Sequence, residues 1–77
     1  MNLSLIHAII FRHAIIHSAY AFVLVDNHPS GNTRPSEADL QLTNRVAAAA
    51  RILQIKVLDH VIVGQGYFSF QEAGLLQ

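Results

Sequence analysis

The fold turns on Phe22-Val23-Leu24-Val25, followed by Asp26-Asn27-His28-Pro29-Ser30-Gly31-Asn32-Thr33-Arg34-Pro35-Ser36-Glu37-Ala38-Asp39. The apolar run, with Tyr20 and Ala21 before it, is short, continuous and rich in aromatic and β-branched residues. It reads as a strand over 20–25, buried on both faces. Pro29, Gly31, Asn32 and Pro35 then mark a loop over 27–35. Ser36 opens a helix, with Asp39 three residues on in near capping-box spacing and Glu37 suited to the positive helix end. The form is strand, polar loop, helix start.

Outward from this stretch, Leu42, Val46, Ala49 and Leu53 predict the apolar stripe of that helix. Glu37, Gln41, Asn44, Arg45 and Arg51 predict much of its wet side. The run Ala47–Ala50 keeps the helix thin enough to lie close on a sheet. Lys56–Val63 reads as the next strand, with Leu58, His60 and Ile62 on one face and Val57, Asp59, Val61 and Val63 on the other. Gly64-Gln65-Gly66 is a tight turn, and Tyr67–Phe70 a return strand completing a hairpin. Gln71–Leu76 is expected to form a final helical turn. Upstream, Ile6, Ile9, Ile10, Ala14 and Ile16 fall near helical spacing and predict a helix over 7–18. His13 and His17 would then lie four apart on one face. That pair suits either a metal ion or a solvated polar stripe.

At 77 residues the chain makes one small domain. Hydrophobic residues are 52% and charged residues 13%, which excludes a disordered chain. The net charge is zero and the five basic residues are scattered, which gives no footprint for nucleic acid. With no cysteine there is neither a disulfide frame nor a thiolate metal site. Ala19-Tyr20-Ala21 looks like a signal cleavage site. However, no charge precedes the apolar stretch, and Arg12 and three histidines interrupt it, so neither a signal nor a membrane span is expected. A cytoplasmic location is the expectation.

Asp26 and His28 are two apart at a strand end. Period two points both the same way, with Cα atoms roughly 6–7 Å apart, a spread suited to two ligands on one ion. The loop returns, and Asp39 in the first helical turn can supply a third ligand, leaving a position for water as in catalytic zinc sites. Ser36 could hydrogen-bond an oxyanion formed beside that water. Each residue also has a plainer reading: Asp39 as a helix cap, Asp26 as a turn-forming carboxylate, and His28 as a loop histidine.

His28-Pro29-Ser30-Gly31 with Pro35-Ser36-Glu37-Ala38-Asp39 resembles the RadC-like branch of the JAB/MPN metalloprotease superfamily. The signature of that superfamily, the JAMM motif, is His-x-His, seven residues, then Ser-x-x-Asp. Here seven residues separate His28 from Ser36, and Asp39 completes the motif. Leu58-Asp59-His60-Val61-Ile62-Val63-Gly64, Gly66-Tyr67-Phe68-Ser69-Phe70 and Glu72-Ala73-Gly74-Leu75-Leu76 are similar to the RadC-type C-terminus. The resemblance runs from about Ile6 onward.

It implies an α/β, cytidine-deaminase-like three-layer fold, present here in part over residues 1–77 as helix-strand-helix-strand-strand with a C-terminal helical turn. It implies zinc held at the Asp26, His28 and Asp39 positions, Ser36 as the oxyanion-stabilising serine, and hydrolysis of peptide or isopeptide bonds in a protein or peptide substrate. It also carries an old DNA-repair label. Asp26 stands where the motif has its first histidine, which makes Mn2+ or Mg2+ alternatives to Zn2+. The family's base glutamate belongs upstream, yet no Asp or Glu precedes Asp26, and Glu72 has no reason to reach the site. A truncated or excerpted domain is therefore expected. The alternative is a non-catalytic interaction module or relic, with an open sheet edge that can pair in a homodimer.

Overall fold

The computed structural model describes residues 13–17 and 20–76. Four strands and one helix follow in the order β1 (His13–His17), β2 (Ala21–Asn27), α1 (Glu37–Leu53), β3 (Lys56–Gly64) and β4 (Gly66–Ser69). They form one mixed sheet in the order β1-β2-β3-β4. β1 and β2 are antiparallel, β2 and β3 parallel, and β3 and β4 antiparallel. The parallel pair needs a crossover, and α1 supplies it.

The expected helix over 7–18 is corrected where the structure describes it. His13–His17 is a strand, paired with β2 from His13 opposite Asp26 to His17 opposite Phe22. Ile15 and Ile16 favour a pleated conformation, and pairing satisfies the backbone edge that β2 would otherwise leave open. Residues 7–12 and 18 lie outside the described residues. The order is therefore strand-strand-helix-strand-strand, and the described residues form two layers, a sheet and one helix. A strand rises about 3.3 Å per residue, so His13 and His17 stand roughly 13 Å apart, too far to share one ion.

The other sequence expectations fare better. β2 runs two residues past the apolar stretch, to Asn27, so Asp26 is a strand residue. Ser36 caps α1 with a complete capping box: its hydroxyl accepts from the Asp39 N–H, and the Asp39 carboxylate accepts from the Ser36 N–H. α1 ends without a glycine, because Gln54 takes the left-handed conformation (φ 57°). Ile55 N–H then closes onto the Ala50 carbonyl at 2.9 Å, the bonding pattern of a Schellman end. The expected helical turn near the C-terminus is a single turn. Ala73 N–H bonds the Ser69 carbonyl, and Leu75 N–H bonds that of Phe70.

The buried face of α1 differs from the expected stripe. Asp39, Thr43 and Ala50 are buried, Leu42 and Val46 half-buried, and Ala49 and Leu53 exposed. At 100° per residue the helix is rolled about 70° from its apolar stripe. On β3, His60 and Ile62, expected on one face, are both buried. Leu58 is 46% exposed, at an irregularity where Val57 pairs with Phe22 and Asp59 with Val23.

Among the described residues, the buried interior holds as many polar as apolar side chains: Asp26, Asp39, Thr43, His60 and Ser69 beside Ala14, Leu24, Ala50, Ile62 and Phe70. Buried polar groups need partners, so this small core is arranged around polar contacts. Among the described residues, no helix is long and apolar enough to cross a membrane.

Candidate metal centre

Asp26, His28 and Asp39 meet. Each offers one ligand atom, and the three atoms lie within 4.8 Å of one another. Asp26 arrives from the end of β2, wholly buried, and Asp39 from the first turn of α1, 3% exposed. His28 stands just past β2, its Nε2 3.3 Å from Asp26 Oδ2 and 3.1 Å from Asp39 Oδ2.

Three backbone contacts fix the His28 loop. His28 N–H bonds the Val63 carbonyl, continuing the β2–β3 ladder, at 2.9 Å. Gly31 N–H closes a turn on the His28 carbonyl, and Gln65 N–H bonds the Gly31 carbonyl at 2.8 Å. The loop is thus latched to the β3–β4 turn. Gly64 sits so close that a Cβ there would meet the Gly31 carbonyl oxygen at 2.6 Å, which leaves room only for glycine.

The tautomer of His28 follows from its other nitrogen. Nδ1 lies 2.8 Å from the Asn32 carbonyl oxygen, an acceptor only, so Nδ1 carries a proton and donates it. Nε2 is left to face the two carboxylates, either as N–H or as a lone pair for a cation. A histidine ligand oriented through its second ring nitrogen is the usual arrangement at metal sites.

Charge binds the cluster. The Asn32 hydrogen bond raises the His28 pKa most; burial lowers it, and Asp26 and Asp39 raise it further, for a net rise above 6.5. Burial works to raise the Asp39 pKa. Contact with the Asp26 carboxyl group, hydrogen bonds from the Ser36 N–H and hydroxyl, and the charge of His28 together hold it far below the ordinary value. Two buried carboxyl groups beside one imidazole are ligand types that suit a divalent cation.

A pH dependence follows. A raised folded-state pKa contributes stability that is fully present below the unfolded value near 6.5 and lost as pH rises through the folded value. Metal-free protein is therefore expected to lose stability to urea as pH rises from about 6 through the raised His28 pKa. His28→Gln should remove that component of the profile. Metal affinity should move the opposite way, rising with pH, because a cation must displace the Nε2 proton.

Ser36 is brought to the same place. Its hydroxyl donates to Asp39 Oδ2 at 2.8 Å, and the side chain is exposed at the edge of the cluster. Glu72 is elsewhere: it accepts from the Tyr67 hydroxyl at 3.1 Å. His13 stands beside the cluster, Nε2 3.5 Å from Asp26 Oδ1, while His17 pairs with Phe22 at the other end of β1.

Three contributors escaped the sequence reading. Asn32 acts through its carbonyl, which no side-chain pattern reveals. Thr43 and His60 form a buried pair behind Asp39, with Oγ1 and Nδ1 2.5 Å apart. The available signal was the spacing of Thr43, four residues after Asp39 and so on the same helix face.

The family described as the RadC-like JAB domain matches residues 2–75. Among curated relatives, a UPF0758 protein of Chlorobium luteolum is 51% identical over 99% of this chain and 35% of its own length. One from Rubrobacter xylanophilus is 52% identical over 99% of this chain and 34% of its own. One from Porphyromonas gingivalis is 50% identical over 88% and 31%. The chain spans about a third of the length of these relatives. With the motif, the convergent site and the match over nearly its full length, the chain belongs to the RadC-like JAB domain family.

Proposed function

We propose that this domain binds one divalent cation through Asp26, His28 and Asp39, and that it is the metal-binding part of a hydrolase acting on peptide or isopeptide bonds. The observation that carries the reading is the meeting of two buried carboxylates at one imidazole. Zinc is the first candidate, with manganese or magnesium favoured more than at a two-histidine site because two of three donors are carboxylates. Bound there, the cation supplies a water of lowered pKa, about 7 for zinc, and polarises a carbonyl.

The side chains have separable tasks in this reading. Asn32 keeps the Nε2 of His28 facing the ion. Ser36 holds Asp39 by its N–H and hydroxyl, and the same hydroxyl, exposed at the edge, turns to donate to the developing substrate oxyanion. Among the described residues the cluster contains no glutamate, so this reading assigns no general base. The whole domain is a three-layer JAB/MPN fold, of which the sheet and α1 are the part described.

A second reading, an interaction module, has its own support. Ile15, Ile16, Ile52 and Leu53 are each more than half exposed, and β1 and β4 are the outer strands of the described sheet. Such edges and side chains suit pairing with a second copy.

Isothermal titration with zinc and with manganese separates the two. The metal reading expects one ion per chain. Absence of binding by either metal, together with a dimer in sedimentation, would leave the interaction module.

A further inference from the structure

α1 lies on the sheet by a face that its own apolar pattern does not favour. Leu42, Val46, Ala49 and Leu53 would go inward if burial of hydrocarbon alone set the roll. Instead Asp39, Thr43 and Ala50 are turned in, Leu42 and Val46 are half-buried, and Leu53 is 66% exposed. Something specific must hold this roll.

Asp39 itself reaches His28 on the β2 side, and a turn further along the helix the buried pair Thr43 and His60 ties α1 to β3. Thr43 Oγ1 donates to the Asp39 carbonyl at 2.9 Å. His60 Nδ1 lies 2.5 Å from the same oxygen. Nδ1 donates to Oγ1 in the tautomer that carries its proton there and accepts from the hydroxyl in the other, so the pair is hydrogen-bonded either way. His60 is 1% exposed, and its ring is stacked on Phe70 with centroids 4.5 Å apart and planes 4° from parallel. Phe70 in turn bonds the His60 carbonyl through its N–H at 2.9 Å. Burial lowers the His60 pKa and keeps the ring neutral. The ring is thus fixed in plane. The Ser36–Asp39 capping box cannot do this work, because it lies within one helical turn and rotates with the helix.

We infer that the His60–Thr43 hydrogen bond is a roll lock: it ties α1 to β3 with Asp39 facing the site, against the pull of the helix's apolar stripe. His60 and Thr43 are positioning residues for Asp39, an inference that rests on the metal reading only for its effect on affinity. The lever is large. A side-chain carboxylate roughly 5 Å from the helix axis moves roughly 6 Å in a 70° roll. Ligand distances at a metal tolerate about 0.2 Å, so even a small part of that roll removes Asp39 from the ion.

The test uses the 77-residue chain with Thr43→Val, which keeps the shape and deletes the hydroxyl, and Thr43→Ser, which keeps the hydroxyl. Two quantities are read in each: the nuclear Overhauser contact between the His28 ring and the Asp39 side chain without metal, and zinc affinity by titration. In Thr43→Val the contact should be lost or weakened and affinity should fall tenfold or more. Thr43→Ser should retain the contact and stay within about threefold. A purely structural role would lower the melting temperature of Thr43→Val while leaving contact and affinity as in wild type, and that result would overturn the lock. Should Thr43→Val not fold, His60→Gln reads the same quantities, because it shifts the hydrogen-bonding group away from the Nδ1 position. If wild type binds no zinc, the metal reading fails by itself, and the metal-free contact still decides the lock.

Discussion

His28→Ala is expected to abolish metal binding and to destabilise the metal-free domain. Replacing a hydrogen-bond partner behind a ligand already costs 10–100-fold in affinity at characterised sites. Deleting the ligand itself should cost more, on the order of 10³-fold, or about 4 kcal/mol. Two carboxylates would remain, and they suit zinc poorly without a nitrogen donor. The destabilisation has a separate origin. His28 Nε2 is the partner that Asp26 and Asp39 share, at 3.3 and 3.1 Å, and it is positive when protonated. Removing one member of a buried charged cluster leaves uncompensated charge, which costs about 3 kcal/mol. Proton uptake by a carboxylate should recover part of this, so the loss should shrink towards acid pH. Titration calorimetry and urea unfolding at two pH values measure both effects. Zinc affinity unchanged in His28→Ala would remove this residue from the site.

Asp26→His is expected to turn the site towards zinc. Zinc held by two carboxylates and one imidazole has a net charge near zero; with one carboxylate and two imidazoles it is about +1. The second set suits a borderline-soft ion better and acidifies its water more, while manganese and magnesium prefer oxygen. Zinc affinity should rise roughly tenfold, and manganese affinity should fall. The larger ring enters a position that is 0% exposed beside His13, so metal-free stability should drop by about 1–3 kcal/mol through overpacking. Affinity and stability therefore move in opposite directions in the same variant, which prevents a folding defect from imitating the prediction. A fall in zinc affinity would contradict the charge argument.

The parts of the fold that the sequence made legible are those set by local chemistry. Pro29, Gly31 and Pro35 mark the loop, Ser36 with Asp39 marks the helix start, and Gly64-Gln65-Gly66 marks the hairpin. Period two and the short return loop suggested that Asp26, His28 and Asp39 converge, beside a plainer reading for each, and the resemblance to the JAMM motif pointed to the same three. The rest depends on partners distant in sequence. His13–His17 has helical spacing by itself and becomes a strand through pairing with β2. Asp26 looked like the first residue after a strand; it is a strand residue because His13 and Ile62 flank it in register. The roll of α1 could not be read from α1, because the group that turns Thr43 inward lies seventeen residues away on β3. Asn32 contributes a backbone carbonyl, which sequence patterns do not show.

The most direct measurement is an anomalous difference map from crystals of the wild-type chain soaked in zinc. The account predicts one peak at about 2.0–2.2 Å from His28 Nε2 and from one carboxylate oxygen each of Asp26 and Asp39. A map with no peak among these three side chains would contradict it, and so would a peak coordinated without His28.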